Sequence, residues 1–459
     1  MRVLFATAEL APVASVGGLA HAAAGLVREL RSRGVEVEVA LPDYAGEPLE
    51  GERSVELAVP GWAAPARARR GSHALGGELA LLSVPGIRRP HPYGDETGAA
   101  WPDNDARFLG FSAAVAALAA ATRPDLVHLN DWHTAAATAF LREGTASVLT
   151  IHNLAYQGQA DLEWLARLGP RAEAFGHGGA CNPLAGGIRL ADAIIVVSPT
   201  YREEVLRPET GAGLHDLLRA REPALHGIRN GIDVERWNPS TDPHLPEPFD
   251  ADDLAGKERA RTALLERLEL PDRHLPLAVA VTRLAHQKGI DLLLPLLAEL
   301  DVIGVQVAIL GAGDTSLARA LREAAAAAPW SLAFVEGYDE PLSHLLFGGG
   351  DLLLMPSRFE PCGLAQMQAM RYGTLPVVTS VGGLRDTVID LDEDPERGTG
   401  WRAASADTEA FADALRRALR GWRSPRIRVP AQRRGMTADW SWQEPARAYQ
   451  DLYRSLTGR

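Results

Sequence analysis

Lysine is nearly absent from this chain. Of the 47 Lys and Arg residues among 459, only Lys257 and Lys288 are lysine. The compact ammonium of lysine and the planar fork of arginine are not interchangeable, so a lysine kept in so Arg-biased a sequence predicts a site that needs an ammonium. Lys288 also lies at a predicted helix start, where a cation opposes the macrodipole unless an anion binds there. Lys288 is therefore the first candidate for an anion-binding residue.

Cysteine and long apolar runs are also scarce. The two cysteines, Cys181 and Cys362, have no metal-ligand spacing, which excludes a disulfide framework and favours a cytoplasmic protein. The first apolar segment is followed at once by Glu9, which is not a signal-peptide pattern. The Ala-rich run 112–122 is too short to span a bilayer and predicts a buried helix.

The composition argues against two classes of partner. The formal net charge of -12 opposes non-specific binding to nucleic acid and to anionic membranes. A hydrophobic content of 46% with 23% charged residues is typical of a globular protein, and the length favours two domains. The oligomeric state is left open by the sequence.

Short apolar runs alternate with segments of helical spacing along the chain. The runs that predict strands lie at residues 3–7, 35–41, 126–129, 147–151 and 193–198 and then at 277–281, 305–310, 333–336, 351–355 and 375–379. This alternation predicts an α/β fold with two doubly wound parallel sheets. The Pro-rich stretch 238–248 predicts an interdomain linker. We therefore expect domains at 1–240 and 241–442, with a helix at 443–459 that can pack back on the first.

Two polar segments follow predicted strands of the second sheet. They read Thr282-Arg283-Leu284-Ala285-His286-Gln287-Lys288-Gly289 and Ser357-Arg358-Phe359-Glu360-Pro361-Cys362-Gly363-Leu364. Ligands of such sheets bind outside the carboxyl ends of the strands. Arg283 and Lys288 are thus expected to converge on a phosphate.

Glycine pairs and histidines occupy the same kind of position elsewhere. Ser15-Val16-Gly17-Gly18-Leu19 follows the first strand, and Val381-Gly382-Gly383-Leu384 follows a late one. Either pair alone fits a plain tight turn, but one in each half favours backbone approach to phosphate. Asn130-Asp131-Trp132-His133 and Ile151-His152-Asn153 follow neighbouring strands. A lone histidine at the end of a strand is more often structural. Asp131, His133 and His152 together, however, favour a functional site at this edge of the sheet.

The motifs resemble those of the bacterial glycogen synthase and plant starch synthase family. They run in family order over nearly the whole chain and comprise Tyr93-Gly94-Asp95 through Asp103-Asn104-x2-Arg107-Phe108, Asp131-Trp132-His133, Ile151-His152-Asn153 through Gly158, Val197-Ser198-Pro199-Thr200-Tyr201, Asn230-Gly231-Ile232-Asp233, Arg283-x4-Lys288, Arg358-Phe359-Glu360-Pro361-Cys362-Gly363-Leu364 and Tyr372-Gly373-Thr374-Leu375-Pro376. The resemblance implies the GT-B fold, in which two Rossmann-like domains face each other across a cleft. It also implies retaining transfer of glucose from a nucleotide sugar, usually ADP-glucose, to the 4-hydroxyl of an α-1,4-glucan.

The resemblance also implies roles for individual residues. Arg283 and Lys288 would hold the donor diphosphate, and Glu360 the sugar hydroxyls. Tyr338 would stack on the adenine, and His152 would lie near the reacting sugar. Residues that would line the donor or the acceptor are Asp131, Trp132, Asn230, Cys362, Gly363, Leu364, Gly382 and Gly383. A double displacement would need a carboxylate nucleophile near the anomeric carbon, and no obvious pair is present. No Asp-x-Asp pattern follows a predicted strand, so we expect transfer without a divalent metal or other cofactor.

The first glycine loop departs from the family pattern, which reads Lys-Thr-Gly-Gly-Leu-Ala-Asp. Here Ser15 replaces the lysine and His21 the aspartate, while a further family lysine is Ala185. Simple drift away from lysine would ordinarily leave arginine. Three alternatives therefore stay open. They are a specialised glycosyltransferase or pseudo-glycosyltransferase making a short oligosaccharide or cyclitol-containing product, a non-catalytic glucan-binding paralogue, and a sugar-nucleotide epimerase, which the extent of the motifs disfavours most.

Overall fold

The computed structural model describes residues 1–74, 76–95 and 99–458. The chain forms two compact units. The first unit comprises Met1–Gly231 together with Trp442–Arg459, and the second comprises Ile232–Ser441.

The first unit is built on a mixed sheet. Its strands are β1 (Arg2–Ala6), β2 (Glu36–Pro42), β3 (Glu50–Glu56), β4 (Arg67–His73), β5 (Gly77–Ser83), β6 (Leu126–Asn130), β7 (Ala146–Ile151), β8 (Gly176–His177), β9 (Ala180–Cys181), β10 (Ala193–Val196) and β11 (Leu225–Gly227). The described residues order this sheet as β11-β10-β7-β6-β1-β2-β5-β4-β3, with β8 and β9 forming a separate hairpin. Pairing is parallel from β11 through β5 and antiparallel at β4 and β3.

Helices cover this sheet. Those of the N-terminal segment are α1 (Gly18–Ser32), α2 (Asn104–Thr122), α3 (Trp132–Ala135), α4 (Pro183–Leu190), α5 (Pro199–Glu204) and α6 (His215–Ala220). By length and composition, α2 could cross a membrane, but 67% of its apolar window is buried inside the fold. The buried helix predicted at 112–122 is the second half of α2.

The second unit has a parallel sheet throughout its described residues. The strands are β12 (Leu277–Leu284), β13 (Gln306–Gly313), β14 (Leu332–Glu336), β15 (Leu352–Met355), β16 (Leu375–Thr379) and β17 (Trp401–Ala403), in the order β14-β13-β12-β15-β16-β17. The helices are α7 (Ala255–Arg267), α8 (Leu294–Leu297), α9 (Leu300–Ile303), α10 (Thr315–Ala327), α11 (Glu340–Gly349), α12 (Ala365–Arg371), α13 (Gly382–Thr387), α14 (Thr408–Trp422) and α15 (Pro425–Thr437).

The C-terminal helix α16 (Gln443–Thr457) belongs to the first unit. It packs on α1, and the Trp442 ring lies so close to Gly25 that a Cβ there would be 2.0 Å from its Nε1. Short 3₁₀ turns complete the structure at Gly61–Ala63, Ala136–Ala139, Leu162–Arg167, Gly169–Phe175, Glu222–Ala224, His286–Lys288 and Ile290–Leu292.

The ten predicted strands are confirmed, since a strand of the structure starts within one residue of each predicted start. The strands that were not predicted are β3, β4, β5, β8, β9, β11 and β17. Every residue of β3 is exposed, and β4 is rich in arginine, so these two strands carry no apolar pattern. Ion pairs support this region instead, among them Arg70 with Glu38, whose Nε and Oε1 are 2.6 Å apart.

The stretch 238–248 is not a free linker between the units. The boundary between the two units lies after Gly231 rather than at residue 240, because this stretch belongs to the second unit. The Trp237 ring stacks on His344, with centroids 4.0 Å apart. Asp242, fully buried at its side chain, accepts a hydrogen bond of 2.7 Å from Nδ1 of His344. The proline-rich composition indicated a turn-rich segment but not what it packs against.

Candidate active site

Asp131 and His152 meet at the carboxyl edge of the first sheet, after β6 and β7. The backbone N–H of His152 donates to Asp131 Oδ1 over 2.7 Å. The His152 Nε2–H faces Asn130 Oδ1 at 3.0 Å, and the Asn130 amide in turn donates to the carbonyl of Ala6. Asp131 has a left-handed backbone with φ of 55°, which is uncommon outside glycine. The predicted edge is therefore present, and Asn130, which the sequence did not single out, orients its histidine.

Burial shifts the pKa values at this edge toward the neutral forms. It raises the pKa of Asp131 to about 7, although the backbone N–H groups of His152 and Asn153 oppose the rise. It lowers the pKa of His152 to about 4 and that of His133 to about 3. His152 is thus neutral near pH 7 and available as a polar contact rather than as an acid. The His133 ring packs against that of Trp132 in a tilted arrangement, with centroids 4.2 Å apart, and has a packing role.

Asn230 is a buried polar residue at the end of the N-terminal segment of the first unit. It is 4% exposed, and its Oδ1 has no hydrogen-bond partner among the described residues. An unsatisfied buried acceptor is costly, so it points to a ligand donor such as a sugar hydroxyl.

The first glycine loop is held by a carboxylate that the sequence did not assign. Glu9 Oε2 accepts from the backbone N–H groups of Val16 and Gly17, at 2.8 and 2.9 Å. Its Oε1 accepts from the Tyr93 hydroxyl at 2.7 Å. The Gly17 amide, expected to approach a phosphate, is therefore already hydrogen-bonded. The position of Glu9, directly after a buried strand, was the available signal.

The remaining loop residues flank that contact. Gly18 begins α1 and is exposed, as is Ser15, whereas His21 is half-buried on the first turn of α1. Two of the three departures from the family pattern, Ser15 and His21, thus lie on one loop and the helix that follows it, whereas Ala185 is buried in α4.

Lys288 and Glu360 form an ion pair at the carboxyl edge of the second sheet. Lys288 Nζ and Glu360 Oε2 are 2.6 Å apart, and the side chains are 17% and 7% exposed. The Ser357 hydroxyl also donates to Glu360 Oε2, at 3.1 Å. The ammonium has three donors and uses one among the described residues, which leaves two for another oxygen-rich group.

The helix predicted to begin at Lys288 is absent from the described structure of this segment. Two 3₁₀ turns, His286–Lys288 and Ile290–Leu292, are joined at Gly289, whose φ is 65°. A Cβ at Gly289 would lie 2.0 Å from the carbonyl oxygen of Pro356, so a residue with a side chain does not fit at this turn. The macrodipole argument therefore does not apply, and Glu360 compensates the charge of Lys288 instead.

A second ion pair joins the two polar segments. The Arg358 guanidinium binds Asp291 through two hydrogen bonds of 2.7 and 2.6 Å and donates to the carbonyl of His286. This pairing lowers the pKa of Asp291, chiefly through the hydrogen bond from Arg358. The backbone N–H of Arg358 also donates to the Gln287 carbonyl at 2.9 Å. Lys288 and Glu360 are thus placed by a cross-linked pair of loops.

The second glycine loop lies against the segment that carries Glu360. The Gly383 N–H donates to the Glu360 carbonyl at 3.0 Å, and a Cβ at Gly383 would be 2.1 Å from the Cys362 carbonyl oxygen. Gly382 and Gly363 have positive φ of 41° and 73°. Cys362 is buried and Leu364 half-buried. Glycine is therefore required here for close backbone approach.

Arg283 and Tyr338 are the more exposed candidates of the second unit. Arg283 follows the core of β12 and reaches Gln287, with Nη2 and Oε1 3.4 Å apart. Tyr338 is 75% exposed, which leaves a ring face open for stacking.

Comparison with known proteins covers almost all of the chain. Family models for the starch synthase catalytic domain and for glycosyl transferases group 1 match residues 2–220 and 267–434. The chain belongs to the starch and glycogen synthase family. It is 43% identical to a glycogen synthase of Halorhodospira halophila, over 99% of both chains, and 42% identical to one of Methylocella silvestris, over 99% and 98%.

Solved structures agree with this assignment. The catalytic domain of starch synthase IV from Arabidopsis thaliana, bound to ADP and acarbose, superimposes with a TM-score of 0.89 at 32% identity, over 100% of this chain and 99% of that one. The expected GT-B fold, with two Rossmann-like parallel-sheet domains, is confirmed, and the protein is a glucosyltransferase of this family.

Proposed function

We propose that this glucosyltransferase moves glucose from ADP-glucose to the 4-hydroxyl of an α-1,4-glucan, with retention of configuration and without a metal. The observation that carries the proposal is the Lys288–Glu360 pair, which is held against the Gly382–Gly383 loop at the carboxyl edge of the second sheet. The ADP and acarbose bound by the Arabidopsis relative support an adenine nucleotide and a glucan-like acceptor.

The second unit supplies the donor contacts in this proposal. Lys288 and Arg283 bind the diphosphate, and each cation at about 4 Å contributes roughly 4 kcal/mol at an effective dielectric near 20, before desolvation. Glu360 accepts hydrogen bonds from sugar hydroxyls. The backbone of Cys362, Gly363, Leu364, Gly382 and Gly383 lines the donor, and the exposed ring of Tyr338 stacks on the base.

The first unit supplies the acceptor contacts. Neutral His152 offers a polar contact near the reacting sugar, while Asp131 positions its backbone. The unpaired Oδ1 of Asn230 accepts from a hydroxyl. On the first loop, Gly18 and Ser15 approach the donor phosphate, with Gly17 held by Glu9 and His21 on the adjoining helix turn.

The reaction requires no dedicated protein base. The bond from the anomeric carbon to the phosphate oxygen breaks as the bond to the acceptor O4 forms on the same face. The departing diphosphate takes the proton of the acceptor hydroxyl, and Lys288 and Arg283 stabilise the charge it gains. We also propose that the protein is located in the cytoplasm, where sugar nucleotides are made.

A donor panel tests the substrates. ADP-, UDP-, GDP- and dTDP-glucose are each assayed with glycogen and with maltooligosaccharides, and released nucleotide and product length are measured. We expect ADP-glucose with glycogen to give the highest kcat/KM and a product that an α-1,4-specific amylase digests. Activity confined to a short or cyclitol acceptor would favour the specialised enzyme, and no transfer at all the non-catalytic paralogue.

Metal independence is tested with a chelator. Activity in excess EDTA is expected to equal that without EDTA, because two protein cations already face the diphosphate. A loss that Mg²⁺ or Mn²⁺ restores would contradict the roles given to Arg283 and Lys288.

A further inference from the structure

His344 in the second unit carries a buried nitrogen that nothing in the described structure satisfies. The residue is 1% exposed, and its Nε2 has no hydrogen-bond partner among the described residues. Its Nδ1 is engaged, at 2.7 Å from Asp242 Oδ2. A buried polar atom without a partner is costly and calls for an explanation such as a bound ion.

Two further ligand groups lie beside this histidine. A nitrogen of His244, a carboxylate oxygen of Glu340 and a nitrogen of His344 all lie within 4.8 Å of one another. The rings of His244 and His344 have centroids 4.9 Å apart. Glu340 and His344 are four residues apart on α11, so they share one face of that helix. We infer that His244, Glu340 and His344 bind a zinc ion.

The donor set matches zinc chemistry. Two imidazoles and one carboxylate, with a fourth position for water, form a well-known tetrahedral zinc environment. Zinc bonds near 2.0 Å place ligand atoms about 3.3 Å apart. Half-buried His244 and Glu340 can close the remaining gap by rotation of their side chains.

The surroundings of His344 are those of a metal ligand. A ligating histidine usually donates its other N–H to a carboxylate, which sets the tautomer and the ring orientation. Asp242 fills that position, and the Tyr372 hydroxyl donates to the same Oδ2. Trp237 stacks on the His344 ring with an interplanar angle of 9°. Nδ1 is therefore protonated and the lone pair lies on Nε2.

Arg236 and Tyr338 are the competing partners. Arg236 Nη2 pairs with Oε1 of Glu340, the two side chains being 34% and 35% exposed, and the Tyr338 hydroxyl also hydrogen-bonds to the Glu340 carboxylate. The two oxygens of a carboxylate offer about four lone-pair sites, so Glu340 can bind a metal beside these partners.

The ion would act structurally. It would join the segment that contains Trp237, Asp242 and His244 to the first turn of α11, at the start of the second unit. This site does not rest on the proposed function, since no residue given a role in transfer is among its ligands.

Zinc titration of the metal-stripped full chain tests the proposal. Isothermal calorimetry is expected to show one zinc per chain with micromolar or tighter affinity, and cobalt(II) is expected to give the visible absorption of a tetrahedral site. Zinc should raise the thermal midpoint by several degrees, because it binds the folded state alone. Absence of stoichiometric binding would overturn the site.

Matched variants separate this site from adventitious binding. His244→Asn and Glu340→Gln are each expected to weaken zinc affinity at least tenfold and to abolish the cobalt spectrum. His274→Asn makes the same replacement at an exposed histidine of the same unit, which has Asp272 nearby, and should bind zinc as the parent does. Unchanged affinity in His244→Asn, or equal loss in His274→Asn, would refute the assignment. Both readouts are independent of transfer activity, so failure of the proposed function leaves them unaffected.

Discussion

The polar residues at the carboxyl edges of the two sheets lie in different environments. In the first unit, Asp131 and His152 are deeply buried, and burial moves both pKa values toward the neutral form. In the second unit, Lys288 lies in an ion pair with Glu360 and is partly exposed. A buried edge with a neutral histidine suits hydroxyl groups, whereas a paired cation suits a diphosphate. Equivalent places in one kind of fold thus acquire different properties through burial in one unit and ion pairing in the other.

Loss of the Lys288 ammonium is the strongest test of this contrast. Lys288→Ala removes a diphosphate contact and leaves the Glu360 carboxylate buried without its ion-pair partner. We expect kcat/KM to fall by about a thousandfold, which corresponds to roughly 4 kcal/mol. Steady-state kinetics with ADP-glucose and glycogen measure this fall in kcat/KM.

Lys288→Arg is the matched control, since it keeps the charge but changes its shape. We expect it to recover only part of the activity, because a planar fork cannot reproduce the ammonium geometry. A Lys288→Ala enzyme within tenfold of the parent would mean that the second edge does not depend on this charge.

Much of this edge was predictable, and the reasons are local. Lys288 and Glu360 follow apolar runs that form β12 and β15, and the end of a parallel strand is where ligands bind. The pairing of these two residues was not predictable, because it depends on the turn at Gly289 and on the clamp between Arg358 and Asp291. Neither contact leaves a periodic pattern in the sequence.

The first unit was less predictable around its glycine loop. Glu9 holds two loop amides across a turn, a contact set by the path of the chain after β1 rather than by any motif. The stretch 238–248 shows the same limit, since turn-forming residues do not reveal that Asp242 is buried against His344. Sequence patterns therefore located the sheet edges, while tertiary contacts decided which groups are engaged.

Acid should act on the first unit through its buried histidines. Burial lowers the pKa of His128 and His133 to about 3 and of His152 to about 4. Between these values and about 6.5 the unfolded chain binds more protons at these histidines, so their contribution makes stability fall as the pH drops below 6.5. Asp131, whose pKa burial raises to about 7, contributes in the opposite direction and offsets part of this loss. For His128 alone the loss reaches about 3 kcal/mol at pH 4. Urea unfolding between pH 7 and pH 4 measures this.

His128→Gln sharpens that measurement. His128 bonds the hydroxyls of Tyr453 and Thr150 at 2.6 and 2.7 Å, and glutamine can keep such bonds without titrating. The variant is expected to show a shallower decline in stability with acid, and hydrogen exchange should locate the early opening in the first unit. An identical pH slope in parent and variant would contradict the burial argument.

The smallest expected effect concerns the first glycine loop. The double variant Ser15→Lys with His21→Asp restores the family pattern next to the amides that Glu9 holds. A partly exposed lysine near the donor phosphate should lower the KM for ADP-glucose by about fivefold, equivalent to roughly 1 kcal/mol. Steady-state kinetics at constant glycogen measure the change.

Each single variant serves as the control for the double one. Ser15→Lys alone should give most of the gain, whereas His21→Asp alone should give little. Unchanged KM together with reduced kcat in the double variant would indicate that the loop is shaped for a different substrate.

The burial of Lys257 has a practical consequence for chemical labelling. Its ammonium donates to the carbonyls of Gly348 and Tyr372 and to the Thr374 hydroxyl, and the residue is 5% exposed. Of the two lysine side chains, amine-directed acylating reagents therefore reach that of Lys288, which is 17% exposed. Acylation of Lys288, read by peptide mapping, is expected to fall when an anion occupies the second sheet edge.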